Sequence, residues 1–339
     1  MKRRILSSLM ALVLVFGLLP ATAFAEETPD AEPEVTAVGA PSAEEGTTPA
    51  GNTIYVDAVN GNDNSENIGQ SWETAYKTLE TAVTAAASGA TIQLGAGKYT
   101  LYKKGAVTKG KDLTFVGQGA DETSWGIGAT MPDPDKFGTE YNGDYSFDGA
   151  GTITFQNMTL QSGSADYLGF IRADNTVVED CIINGKTFYW GYKSAMFKNT
   201  TFNCPIVEKT FLGIPYTEGD YAIWTYSSPT MTFDTCTFNS SGKVINVYTD
   251  YGAGTHDITV NFKDCTVKNT ANNKQVLNVN DSNMGGFKYI LNISGNNTVS
   301  GVPYDKTTCS RLYGFGGKAK TNNTGRLDVT IDGTPVWAK

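Results

Sequence analysis

A short degenerate repeat between residues 153 and 299 constrains the fold more than any other feature of the chain. In each copy an apolar strand ends at a polar residue, and a second short apolar strand follows. The anchor residues of successive copies are 23, 19, 36, 29 and 29 positions apart, namely Phe155, Val178, Phe197, Phe233, Phe262 and Leu291. An even local pattern at uneven spacing predicts one repeat per turn of a solenoid, with loops of different length inserted on some turns.

The polar residue at the bend predicts a tight corner between the two strands. It is Asn157, Asp180, Asn199 or Asp264 in four of the copies, and these residue types tolerate the left-handed backbone conformation. Two strands that meet at the same corner on every turn stack into parallel sheets. The prediction is therefore an all-β, single-stranded parallel β-helix. An antiparallel β-sandwich also has many short strands, but it gives no reason for one corner motif to recur.

Two columns of side chains are expected to point inward from these corners. The first, directly after the bend, consists of Met158, Cys181, Thr200, Cys236 and Cys265, and the second consists of Leu160, Phe202, Phe238 and Val267. The chain has five cysteines, an odd number that excludes a complete disulfide framework. Buried free cysteine packs as a small hydrophobe, so we interpret the cysteines of the first column as structural.

A second alignment, one strand upstream of each corner, predicts two outward columns rich in aromatic and amide side chains. The aligned segments are 171–174, 189–192, 223–226, 245–248 and 277–280, in which the second and fourth residues are expected to face water. One column runs Arg172, Trp190, Trp224, Asn246 and Asn278, and the other runs Asp174, Tyr192, Tyr226, Tyr248 and Asn280. Aromatic faces stack on sugar rings and the polar residues satisfy hydroxyls, so the columns predict a glycan-binding surface. The alternative is that these aromatics cover one another and are structural.

The amino terminus predicts export. Basic residues 2–4, an apolar stretch from Ile5 to Leu19 and the small-x-small triplet ending at Ala25 are typical of a signal peptide over residues 1–25. Residues 26–51 contain seven acids and no base, and we expect a disordered linker there. The β-helix domain is then residues 52–339, and we expect a secreted or cell-surface monomer with no further membrane span.

The start of the domain predicts a capping helix and offers one candidate metal site. Apolar residues recur at helical spacing within residues 72–88, with Ser71 as the expected N-cap, and a helix there would cover the open end of a solenoid. Just before it, a loop carries side-chain oxygens of the kind that Ca²⁺ takes, on Asp57, Asn60, Asn62, Asp63 and Asn64. Asx-turns account for the same residues, and no other cofactor is predicted.

The charge of the chain argues against nucleic acid as a partner. The formal net charge is −9; it is −12 without the three basic leader residues and −5 without the seven acids of the linker as well. The acidity is thus largely that of the linker, and no basic face for phosphates is evident.

Three segments carry a resemblance to a known family. They are Ile54–Asp57 with the loop 60–63, Thr91–Leu94 with Gly97–Thr100, and Leu113–Gly119. Together with the repeat they resemble the pectin-lyase-like right-handed β-helix superfamily, which implies a right-handed solenoid. The fold hosts lyases, hydrolases, esterases and inert adhesins, so the resemblance does not choose an activity. The repeat pattern looks closer to the adhesin-like β-helix proteins secreted by anaerobic gut bacteria than to the enzymes of the superfamily.

The catalytic residues that such enzymes use are not evident in the chain. The stretch 178–197 is similar to the pectin methylesterase pattern, yet no Asp or Glu lies between Asp180 and Glu208, where the nucleophile would fall. The single histidine, His256, lies in a polar loop. Loop carboxylates among Glu208, Glu218, Asp220 and Asp250 leave open a polysaccharide-active enzyme as the alternative function. We therefore assign no catalytic residue and expect a non-catalytic protein that binds a glycan or a host surface.

Overall fold

Three parallel β-sheets carry almost all the regular structure in the computed structural model. The structure describes residues 53–99 (without 65 and 67), 110–126, 147, 149–161, 167–188 (without 172), 190–204, 207–218, 223–224, 230–240, 245–248, 257–269, 277–281, 288–299, 302–303, 313–317 and 327–335. All of these belong to one compact unit that begins at Pro49, and the predicted leader and linker lie outside them. No helix in these ranges is long and apolar enough to cross a membrane.

Strands are numbered in chain order, and each of the three sheets is built from strands of successive turns. Sheet A has eleven strands, in spatial order β1 (Thr53–Val56), β2 (Ala90–Leu94), β4 (Leu113–Val116), β6 (Thr152–Gln156), β9 (Asn175–Glu179), β12 (Ser194–Lys198), β17 (Thr230–Asp234), β20 (Ile258–Lys263), β23 (Tyr289–Ser294), β27 (Leu327–Ile331) and β28 (Thr334–Pro335). Sheet B has nine, in spatial order β25 (Val302–Pro303), β24 (Thr298–Val299), β21 (Thr266–Asn269), β18 (Thr237–Ser240), β13 (Thr201–Cys204), β10 (Ile182–Asn184), β7 (Thr159–Gln161), β5 (Thr123–Gly126) and β3 (Gly97–Tyr99). Sheet C has six, in spatial order β26 (Tyr313–Gly317), β22 (Leu277–Asp281), β19 (Ile245–Tyr248), β16 (Ile223–Trp224), β11 (Lys186–Phe188) and β8 (Tyr167–Phe170).

The chain passes through the sheets in a repeating order. Strands β9, β10 and β11 belong to sheets A, B and C in turn, and β12 returns to sheet A beside β9 with parallel pairing throughout. A separate antiparallel hairpin, β14 (Val207–Phe211) with β15 (Ile214–Glu218), is inserted between β13 and β16. Stacked parallel sheets of many short strands are consistent with the predicted β-helix, and at this level the predicted fold class is confirmed.

The bend between sheets A and B has the predicted left-handed backbone. The four predicted corner residues have φ values between 46° and 55°, and Thr235 occupies the fifth corner with a φ of 58°. Adjacent corner side chains also contact each other, since the Asn199 amide donates to the Asp180 carboxylate over 2.5 Å. Asn and Asp at these corners therefore supply both the backbone conformation and a lateral bond between turns.

Both predicted inward columns are confirmed. Every member of the two columns is buried, and most have no exposed surface at all. Phenylalanine rings stack along the axis within this core, with centroids 5.1 Å apart for Phe197 and Phe233 and 4.8 Å apart for Phe202 and Phe238. Cys181, Cys236 and Cys265 are free thiols inside it, as predicted.

The last anchor residue was predicted wrongly. Phe262 pairs with Ile293. The predicted anchor, Leu291, lies two residues earlier on the strand and pairs with Val260. Both Leu291 and Ile293 are buried, because residues two apart on a strand face the same side. The bend that follows Ile293 is at Gly295, whose φ is 73°.

The capping helix is shorter than predicted. Helix α1 spans Leu79–Ala85, and its N-cap is Thr78, whose hydroxyl accepts from the Thr81 amide. The earlier residues are held in extended structure instead, because Tyr76 forms a parallel bridge with Val56 and Asp63 accepts from the Lys77 and Thr78 amides at 2.8 and 3.2 Å. The apolar face of α1 is still buried in the core beside β1, the first strand of sheet A.

The far end of the two larger sheets is formed by short strands that reverse direction. β25 pairs antiparallel with β24 at the end of sheet B, and β28 pairs antiparallel with β27 at the end of sheet A. Both terminal strands end in proline, Pro303 and Pro335.

Candidate ligand-binding face

The backbone register of sheet C agrees with the predicted alignment at several positions of the two columns. Trp224 pairs with Asn246, and Asn246 pairs with Asn278. Tyr248 pairs with Asn280 in the neighbouring column. Ile245, which precedes Asn246, is fully buried, as predicted for the first residue of its segment. The backbone thus brings these positions onto successive strands, about 4.8 Å apart.

Sheet C also contains aromatic positions that the sequence alignment missed. Thr187 pairs with Ile223, which brings the next residue, Phe188, level with Trp224, and Phe188 pairs with Phe170. The sequence alignment had placed Tyr189 level with Ile223, two residues later in the chain than Thr187, which actually pairs there. The signal was available, since the same 36-residue spacing separates the anchors Phe197 and Phe233.

Trp190 does not belong to the outward column, and its prediction as a ligand-binding residue is wrong. Its side chain is 1% exposed, and its ring packs edge-on against Phe197 with centroids 5.0 Å apart. Ile171 and Ala173, on the preceding turn, are buried as well. Trp190 therefore belongs to the inward side, and its predicted side was reversed.

Asp174 and Tyr192 lie together at the corner that leads from sheet C into sheet A. Tyr192 is 46% exposed, and its amide donates to the Ala173 carbonyl over 2.9 Å. The next residue, Lys193, donates from its amide to the Asp174 carbonyl over 2.7 Å and from Nζ to Asp174 Oδ2 over 2.6 Å. We call Asp174, Tyr192 and Lys193 the corner cluster. It offers an aromatic face beside one ionised pair at the surface.

The other predicted site residues are described less fully. Arg172 and Tyr226 lie outside the described residues, and for Trp224, Asn246 and Tyr248 the structure gives backbone pairing alone. Their predicted side-chain roles stay predictions.

The outer faces of sheets A and B carry polar side chains that hydrogen-bond to one another. On sheet B the Asn239 amide donates to Asn203 over 2.6 Å and the Asn203 amide to Asn184 over 2.8 Å. On sheet A the Asn292 amide donates to Asn261 over 3.0 Å, and Asn261 donates to Thr232 over 3.1 Å. These ladders use their polar groups to join successive turns, so sheet C and the corner cluster remain the better candidate for a ligand.

Ion pairs run along the outer edge of sheet A. Lys198 Nζ lies 2.5 Å from Glu179, and Lys263 Nζ lies 3.0 Å from Asp234. The hydrogen bond from Lys198 lowers the pKa of the Glu179 carboxyl, and that from Lys263 lowers the pKa of the Asp234 carboxyl. Both carboxylates are therefore ionised near neutral pH, which does not suit a general acid.

These ion pairs predict a small loss of stability in acid. In the unfolded chain the two carboxyls titrate near their ordinary pKa values of 4.5 and 3.8, and in the folded chain they titrate lower. Their contribution is thus complete above the ordinary pKa values and is lost as the pH falls through the lowered ones. We expect the Glu179→Gln, Asp234→Asn double variant to show a smaller drop in melting temperature than the parent between pH 7 and pH 3. An unchanged drop would contradict this prediction.

The loop considered for Ca²⁺ is organised by Asx-type hydrogen bonds. Asp57 Oδ1 accepts from the amides of Val59 and Asn60 at 2.8 and 2.9 Å, and Asn62 Oδ1 accepts from the Asn64 amide at 3.0 Å. Partial burial raises the pKa of Asp57, but the hydrogen bonds from Asn60 and Val59 outweigh it and the net shift is downward. Within the described ranges no group of three or more His, Cys, Asp or Glu residues could hold a metal ion.

Two of the loop carboxylates considered for catalysis, Glu208 and Glu218, fall on the inserted hairpin. Glu208 pairs with Thr217 and Glu218 with Val207, which places the two acids at adjacent levels of the hairpin backbone. Asp220, Asp250 and His256 lie outside the described residues.

Comparison with models of protein families, with curated proteins and with solved structures finds no match to this chain. The function is therefore argued from the site itself.

Proposed function

We propose that this chain is a secreted, non-catalytic β-helix protein of the adhesin-like kind, which binds a glycan or host-surface ligand along sheet C and the corner cluster. We further propose the right-handed sense of the pectin-lyase-like superfamily, on the resemblance of the segments at the start of the domain. The carrying observation is the register of sheet C. It brings Trp224, Asn246 and Asn278 onto three successive strands.

Spacing along the solenoid axis favours a linear polymer as the ligand. Successive strands present one side-chain position about every 4.8 Å, so the ligand meets aromatic and then amide positions in sequence as it runs along the axis. Phe188 extends the aromatic part by one strand. An aromatic face with adjacent amides suits a sugar ring, since the ring stacks on the aromatic and its hydroxyls bond to the amides.

The corner cluster supplies further groups that a ligand could contact at the edge of sheet C. Tyr192 is one of the few large apolar side chains with nearly half of its surface exposed among the described residues. Its neighbour Asp174 has its carboxylate bonded to Lys193, and the pair provides both an acceptor and a donor for hydroxyl groups.

The test is binding of the chain without residues 1–25 to an array of plant, mucin and microbial glycans. We expect hits clustered on one glycan class. In the Tyr192→Ala, Trp224→Ala double variant the affinity for that class should fall about tenfold or more, the usual cost of losing aromatic anchors at an interface.

Trp72→Ala is the matched control. Trp72 is 41% exposed but lies between β1 and α1, outside sheet C, so its loss should leave glycan binding unchanged. A blank array would overturn the glycan proposal, and full binding by the double variant would overturn the assigned face. Release of reducing ends or unsaturated products from pectin-type polymers would instead favour the enzyme alternative.

A further inference from the structure

The tip of the β14–β15 hairpin exposes two large apolar side chains. Leu212 is 84% exposed and Ile214 is 66% exposed. There is open space at Gly213 between them, since a Cβ added there would meet no other atom within 4 Å. Single exposed apolar residues are common on protein surfaces, but a pair at one projecting turn calls for an explanation.

The backbone at this turn makes leucine an unfavourable choice. Leu212 and Gly213 have φ values of 49° and 78°, and two residues with positive φ between paired strands are the pattern of a type I′ turn. Asn-Gly and Asp-Gly are the sequences that such turns prefer, whereas a branched apolar residue at positive φ is strained. The geometry of the turn therefore does not account for the choice of leucine at position 212.

The polarity of the hairpin increases over the four levels nearest its tip. The outermost pair is Phe211 with Ile214, the next is Thr210 with Pro215, and the third is Lys209 with Tyr216. The two acids, Glu208 and Glu218, lie at the fourth and fifth levels. From Thr210 to Thr217 the chain carries no charged residue.

This order matches a lipid–water interface more closely than a pocket on a protein. Tyr and Lys are typical of the membrane interface, where the long Lys side chain reaches the headgroups. The apolar tip extends about 7–10 Å beyond the Lys209–Tyr216 level at about 3.3 Å per residue. Apolar groups of interfacial segments are buried to a similar depth, roughly 5–10 Å. A protein pocket would not require polarity to be graded by depth on both strands.

We propose that the hairpin tip, residues 210–217, inserts into the outer layer of an electrically neutral lipid membrane. The chain has a formal charge of −9, which opposes approach to an anionic surface. The hairpin strands pair only with each other and belong to none of the three large sheets, and insertion of their tip would hold the protein at a membrane surface.

The test is sedimentation of the chain without residues 1–25 with phosphatidylcholine vesicles. The informative variant is Leu212→Asn with Ile214→Thr, which keeps a turn sequence suited to positive φ and a β-forming residue in the strand. We expect the ratio of vesicle-bound to free protein to fall about tenfold or more, because most of the apolar area at the tip is lost. Circular dichroism and the melting temperature should match those of the parent.

Met196→Thr is the matched control, since Met196 is 45% exposed but lies on sheet A. It should bind vesicles as the parent does. Equal binding by the tip variant and the parent would overturn the proposal. Failure of the parent to bind vesicles would also overturn it, and the tip would then be assigned to an apolar pocket on a protein.

Discussion

Replacing Phe233 by alanine should lower the free energy of unfolding by about 3–5 kcal/mol, the usual cost of removing a buried phenylalanine ring. Phe233 is fully buried. Its ring is stacked on that of Phe197 at 5.1 Å and meets the Phe238 ring at 5.6 Å. Because each turn of a solenoid contacts only its neighbours, the cavity weakens the turns on both sides at once. Denaturant unfolding followed by circular dichroism measures the change.

Met196→Ala is the control for this prediction. Met196 lies on the neighbouring strand β12, where it pairs with Thr232, but it points outward and is 45% exposed. Its replacement should change the stability by no more than about 0.5 kcal/mol. Similar losses for the two variants would contradict the packing described here.

The buried cysteines should be almost unreactive until the protein unfolds. Burial raises the pKa of the Cys181 thiol to about 12 from an ordinary value of 9.0, and burial together with the neighbouring Cys236 raises that of Cys265. The reactive species is the thiolate. Its fraction at Cys181 therefore falls by about a thousandfold at a given pH, since each pKa unit is a factor of ten.

The measurement is thiol titration with a disulfide reagent at pH 8 in a Cys204→Ser, Cys309→Ser background. That background leaves only Cys181, Cys236 and Cys265, which are buried free thiols. We expect no thiol to react in the native protein and three to react in denaturant. Met196→Cys in the same background supplies an exposed thiol that should react at once. Rapid reaction of any of the three native cysteines would show that this column does not lie in the core.

Much of the fold follows from chemistry that is local in the sequence. Asn157 and Asp180 mark corners because their side chains stabilise a left-handed backbone, and the inward columns follow by alternation from each corner. Thr235 occupies the same kind of corner, although threonine does not favour a left-handed backbone. Its residue type therefore did not predict this corner, and only its position between two paired strands indicates it. The start of α1 was misplaced because Ala75 and Tyr76 fit a helical spacing while the chain uses them beside β1.

The candidate site was harder to predict because sheet C has no corner motif to fix its alignment. Trp190 was assigned to the outward column although it is buried, and in a strand an error of one residue is enough to exchange core and surface. The alignment was also wrong by two residues at Phe188. An error of two residues keeps the predicted side of the sheet but assigns the wrong residue to each position along the strand. The segments 245–248 and 277–280 were aligned correctly.

The prolines at the ends of sheets A and B bear on how the protein behaves at high concentration. The open end of a stack of parallel strands is a template on which another chain can add and continue into a fibre. Here the last strands, β25 and β28, run the opposite way to their neighbours and end in Pro303 and Pro335, which have no amide hydrogen to donate. Two-residue strands that end in proline leave few amide donors with which another chain could pair at this end of the two sheets. Growth of a fibre from that end of sheets A and B is therefore disfavoured.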